Sequence, residues 1–169
     1  MTSITEGALT FTFAASANAS KYDDWSFYRN QFQNACYRDN KAVDLMCRER
    51  DQAWVIEVKD YRQNRRTKAV ELADEIAIKV RDSLAGLVAA QTKANDQNES
   101  CFARGMLQTA TIRVVCHIEQ PAKSSKLRPR AIELDKLQDQ LRRLLKAIDP
   151  HPMVMDCSSV PAHSPWTVA

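Results

Sequence analysis

Asp44, Glu57 and Lys59 are the residues whose types and spacing best suit chemistry, and they sit in two short β-rich runs, KAVDLMCR at 41–48 and AWVIEVKD at 53–60. The polar break Glu49-Arg50-Asp51-Gln52 joins the runs, so together they read as a hairpin. With Arg50 and Asp51 at the tip, the register pairs Glu49 with Gln52, Cys47 with Trp54, Leu45 with Ile56, Asp44 with Glu57 and Val43 with Val58. Side chains alternate along a strand, so Val43, Leu45, Cys47, Trp54, Ile56 and Val58 form one apolar face that must be core. The other face carries Asp44, Glu57 and Lys59. Directly opposed residues bring their Cβ atoms to about 4.5–5.5 Å, and like charges so placed repel. A divalent cation would remove that conflict, because hard ions take carboxylate oxygens and keep further positions for water or phosphate. Lys59, two residues beyond Glu57, projects beside the same spot and could hold a phosphate or stabilise developing charge.

The elements that must position these groups follow from hydrophobic periodicity. Residues 8–13 (ALTFTF) alternate as a strand and lead into a small-residue loop through Ser20. Residues 22–37 place Trp25, Tyr28, Phe32, Ala35 and Cys36 at helical spacing. Residues 67–90 form the clearest element, a long amphipathic helix with Ala73, Ile76, Val80, Leu84 and Leu87 at steps of three and four. After a polar loop at 95–100 and one helical turn at 101–107, a strand is expected at 109–118 (TATIRVVCHI), parallel to 53–60. A basic, proline-bounded connection, a helix at 130–148 and a short strand at 153–156 complete a single domain over 1–157, with 158–169 as a loose tail. Strands alternating with helices predict an α/β fold, a central mixed β-sheet flanked by helices on both faces.

Asp44, a hairpin turn, Glu57-Val58-Lys59 ending the next strand, a long helix and a further strand together resemble the PD-(D/E)xK nuclease superfamily over residues 22–118. The resemblance implies a restriction-endonuclease-like core. It also implies Mg²⁺, replaceable by Mn²⁺, held by Asp44, Glu57 and the carbonyl of Val58, with Lys59 assisting phosphodiester hydrolysis in DNA. Arg62, Arg65, Arg66 and Lys68 would then border the site where a phosphate backbone runs. Two features depart from the family pattern: Val43 replaces its proline, and a strand at 8–13 precedes the first helix. The alternative is a non-catalytic interaction or nucleic-acid-binding module on the same scaffold. By analogy, a homodimer or a targeting partner protein is expected.

Composition narrows the classes. A net charge of +3 permits a polyanionic partner. The first twenty residues lack the pattern of a secretory signal, no long apolar run is present, and a cytoplasmic protein is expected. Five scattered cysteines without a Cys-x-x-Cys pair read as reduced, mostly buried thiols, not zinc ligands. His117, among apolar neighbours, reads as a structural histidine, and His151 and His163 have no partner at metal-ligand spacing. Only three glycines, no glycine-rich phosphate loop and no Gly-x-Ser-x-Gly elbow argue against P-loop and dinucleotide binding and against a serine hydrolase of that class.

Overall fold

The computed structural model describes residues 1–64, 66–121 and 132–169. It confirms the α/β class with a mixed central sheet. Strands β1 (Thr2–Glu6), β2 (Leu9–Phe13), β3 (Asn18–Lys21), β4 (Leu45–Glu49) and β5 (Gln52–Asp60) are followed by helices α1 (Leu72–Lys93) and α2 (Gln97–Leu107). Then come β6 (Thr111–Glu119), α3 (Leu134–Leu145), β7 (Met153–Met155) and β8 (Trp166–Val168). The main sheet has the order β3-β4-β5-β6-β7, antiparallel through β5 and parallel from β5 to β7. The hairpin register is the expected one from Leu45↔Ile56 to Glu49↔Gln52, and β5 and β6 are parallel neighbours over nine pairs.

Central β5 is buried on both sides. Met46, Ala53, Val55, Cys116 and Ile118 pack with α1, α2 and α3. Leu45, Cys47, Trp54, Ile56 and Val58 pack instead against Leu9, Phe11, Phe13 and Trp166. Helices were expected on that second face too, but a small sheet of order β1-β2-β8 covers it. The reason is the strict alternation of LTFTF, which points Leu9, Phe11 and Phe13 into one apolar stripe too flat for a helix to supply. The segment 158–169, expected to be loose, contains β8, whose Trp166 is buried edge-to-face on Trp54 with ring centroids 5.1 Å apart.

The helix expected at 22–37 is broken. Tyr22–Asp24 form a 3₁₀ turn and Phe27–Phe32 a π-type turn, with the N–H of Gln33 bonding the Tyr28 carbonyl at 2.8 Å. Beyond it Tyr37 and Asp39 adopt φ of 63° and 59°, conformations no helix continues through. Glu99 fixes the start of this segment by accepting from the N–H groups of Ser26 (2.7 Å) and Phe27 (2.9 Å). The single turn expected at 101–107 is a full helix, α2, because Asp96 caps it, its Oδ1 accepting from Asn98 N at 2.7 Å and Glu99 N at 3.3 Å. Among the described residues no helix is long and apolar enough to cross a membrane.

Candidate functional site

Asp44, just ahead of β4, and Glu57 and Lys59 on β5 do converge, on the side of the sheet that α1 covers. The expected ladder pair of Asp44 with Glu57 does not form, because β4 begins at Leu45. Val43 turns away from its predicted face and joins the helix-side core, its N–H held by Ser83 Oγ at 2.9 Å. Asp44 bends back onto β5, where its Oδ2 accepts from the Val58 N–H at 2.6 Å. Its own carbonyl accepts from Tyr22 N at 2.9 Å, which brings Asp23 alongside.

The conflict between the two carboxylates is resolved by an ammonium from α1. Lys79 Nζ lies 2.6 Å from Glu57 Oε1 and 3.6 Å from Asp44 Oδ1. Lys59 Nζ lies 2.7 Å from the same Glu57 oxygen and 3.0 Å from Glu75 Oε1. Glu75 in turn takes Arg66 at 2.6 Å and Lys68 at 2.7 Å. Lys79 and Glu75 escaped the sequence reading. Their signal was present, since positions 75 and 79 flank the buried Ile76 and Val80 on one face of the helix.

Two oxygens in this cluster are buried without a hydrogen-bond partner among the described residues, Glu57 Oε2 and Asp23 Oδ1. Burial, then the charge of Asp44, pushes Glu57 up to about 7 against the pull of Lys79 and Lys59. The same two causes push Asp23 up to about 6. Burial works against the charge on Lys59, but Glu57 and Glu75 outweigh it and raise its pKa. Glu75 pays a desolvation cost as well, yet Lys68, Arg66 and Lys59 hold it at about 2. A fully buried carboxyl that titrates near neutrality beside two cations marks a candidate functional site.

The predicted basic border is mostly neutralised. Arg62 is bound to Asp60 by its Nε at 2.9 Å and its Nη2 at 2.7 Å, while Arg66 and Lys68 are spent on Glu75. Arg65, and the second basic group of Lys123, Lys126, Arg128 and Arg130, lie outside the described residues.

A second polar cluster stands on the opposite face, at the carboxyl ends of β6 and β7. His117 Nε2 is 3.0 Å from Glu119 Oε1, which also accepts from the Cys157 N–H at 2.7 Å, and Cys157 Sγ is 3.8 Å from His117 Nε2. These residues could hold a metal ion. The cysteines are free, but Cys36, Cys101 and Cys157 are exposed, so burial of most of them does not hold.

A cysteine–tRNA ligase of Neisseria meningitidis serogroup A / serotype 4A is 37% identical to the chain over 167 residues, an alignment covering 81% of the chain. The chain spans about a quarter of that protein's length, 24%. No family model and no solved structure matches. The similarity overturns the PD-(D/E)xK resemblance and, with it, the roles of nuclease, hydrolase and DNA-cleaving enzyme. The physical reason is information content. One aspartate and a Glu-x-Lys at open spacing satisfy that motif, and a charged pair on a helix-covered hairpin arises wherever a lysine such as Lys79 can neutralise it. Identity sustained across most of the chain has no such local explanation.

Proposed function

We propose that this chain is a tRNA-contacting domain akin to part of a cysteine–tRNA ligase, working in the cytoplasm, with the Asp23, Asp44, Glu57, Lys59 and Lys79 cluster as its functional centre. The observation that carries this reading is the 37% identity over 81% of the chain. Two features support it. Helix α3 exposes Lys136 and Arg143, and Lys146 follows it, none with an acidic partner among the described residues. Such cations suit a phosphate backbone, whose contacts position a nucleic acid without reading its sequence. None of the three glycines lies in a loop after a parallel strand: Gly7 turns a hairpin, and Gly86 and Gly105 sit inside helices. A tRNA contact therefore suits the chain better than a nucleotide-activating step.

Asp23 and Glu57 each carry a buried unpartnered oxygen in the field of Asp44, so a hard divalent cation such as Mg²⁺ could be drawn there if the carboxylates closed on it and Lys79 yielded its place. The ion would supply a positive point for a phosphate oxygen of the RNA, with Lys59 beside it.

Fluorescence anisotropy with a cysteine-accepting tRNA, a second tRNA and a DNA duplex of equal length tests the reading. The cysteine tRNA should bind most tightly, with an affinity that falls as salt rises because phosphate contacts release counterions. Equal or tighter binding of the DNA duplex would refute it.

A further inference from the structure

We infer that His117, Glu119 and Cys157 form a zinc site with three protein ligands and one open position. The inference is independent of the tRNA reading and lies on the other face of the sheet from the carboxylate cluster.

Strand geometry builds the site. His117 and Glu119 are two apart on β6, so their side chains leave the same face. The parallel register pairs His117 with Met155, and continuing it by two residues sets Cys157 beside Glu119. The donors thus gather at the carboxyl ends of neighbouring parallel strands, where open α/β sheets place their ligands.

The separations are those an ion would need. Zinc bonds of about 2.0–2.1 Å to nitrogen, 2.3 Å to sulfur and 2.0–2.2 Å to oxygen, at tetrahedral angles, put nitrogen and oxygen about 3.4 Å apart and nitrogen and sulfur about 3.6 Å apart. The observed distances are 3.0 Å for His117 Nε2 to Glu119 Oε1 and 3.8 Å for His117 Nε2 to Cys157 Sγ. All three donor atoms lie within 4.8 Å of one another. Shifts of a few tenths of an ångström close a coordination triangle.

Chemistry selects the metal. One imidazole, one thiolate and one carboxylate form a borderline-soft set that suits Zn²⁺ and excludes Mg²⁺ and Ca²⁺, which take oxygen. Binding forms the zinc–sulfur bond as the Cys157 thiol proton leaves to solvent. Neighbouring acids are committed elsewhere. Asp156 Oδ1 accepts from Ser158 N at 3.0 Å, Ser158 Oγ at 2.7 Å and Ser159 Oγ at 2.8 Å, and Asp60 holds Arg62. His117 is fully buried and Cys157 exposed, so the fourth position faces solvent, the arrangement that leaves room for water or substrate.

Two measurements test the site. In the first, Co²⁺ is titrated into the reduced full chain and displaced by Zn²⁺. A single ion should give a thiolate-to-cobalt charge-transfer band with tetrahedral visible bands. Cys157→Ser should abolish the band and weaken Zn²⁺ binding at least tenfold, and Glu119→Gln should weaken it too. Cys36→Ser and Cys101→Ser should leave both unchanged. In the second, which needs no variant, Zn²⁺ should slow alkylation of Cys157 at least tenfold while Cys36 and Cys101 keep their rates. Absence of the thiolate band, survival of binding in Cys157→Ser, loss of binding in Cys36→Ser or Cys101→Ser, or unprotected Cys157 would each overturn the assignment, and none of these bears on tRNA affinity.

Discussion

Replacing Glu57 by Gln converts the most buried charge of the candidate centre into a neutral isostere, and the consequence is a change in how stability depends on pH. The carboxyl has an ordinary value of 4.5 and is raised to about 7 in the folded chain, chiefly by burial and then by Asp44. A raised acid binds its proton more tightly folded than unfolded, so its favourable contribution is complete below the unfolded value and is lost as pH climbs through the folded one. Integrating the difference in bound protons from about pH 5 to about pH 8 gives a loss of roughly 2.5 kcal/mol attributable to this one group. Glutamine does not titrate. Its lysine neighbours keep acidic partners, since Lys59 still meets Glu75 at 3.0 Å and Lys79 still has Asp44 at 3.6 Å. Urea unfolding of both proteins across that range should therefore show Glu57→Gln gaining on the wild type by about 2.5 kcal/mol, with contributions from Asp23 and other groups cancelling in the difference. Parallel profiles, or a variant that falls behind as pH rises, would show that the two lysines stabilise the ionised carboxylate outright. The reasoning about this cluster would then be wrong.

Two further outcomes follow from the packing. A Cβ at Gly86 would collide with the Tyr22 hydroxyl and come within 3.3 Å of its Cζ, and that hydroxyl is buried without a partner among the described residues. Overpacking of about 1–3 kcal/mol should exceed the helix gain of about 1 kcal/mol, so Gly86→Ala destabilises. In a Tyr22→Phe background, itself more stable by about 1 kcal/mol, the same change should stabilise; denaturation of the four proteins would expose an unchanged sign as a failure. Trp166→Ala should cost about 3–5 kcal/mol in thermal or urea unfolding, because Trp166 fills the gap between the two sheets against Trp54 and Phe13. A loss below about 1 kcal/mol, the range of ordinary surface changes, would mean that β8 adds little to the fold.

The two metal candidates differ in what displaces what. At Asp44 and Glu57 an ion competes with the covalently tethered ammonium of Lys79, 2.6 Å from Glu57. At His117, Glu119 and Cys157 it competes only with a thiol proton and with hydrogen bonds of 2.7 and 3.0 Å that bind the cluster together. The first site should therefore favour whatever brings negative charge with the cation, such as a phosphate, whereas the second can bind an ion alone.

Local pattern alone determined a good deal. Alternation in residues 41–60 specified the hairpin and put Glu57 and Lys59 on one face, and the apolar steps in 67–90 specified the helix that covers it, because side-chain direction in strands and helices has a fixed short period. Asp96 with Glu99 could have announced α2 in the same way, as an N-cap three residues before an acid. What lay across from each face was beyond that reach. Lys79 against Glu57, LTFTF and Trp166 on the back of the sheet, and Cys157 beside Glu119 join residues 22 to over 100 positions apart, and only the assembled packing chooses among the many partners a face could take. The nuclease-like reading failed for a different reason: a motif of three residues carries little information, and the identity shared with a cysteine–tRNA ligase over 81% of the chain outweighs it.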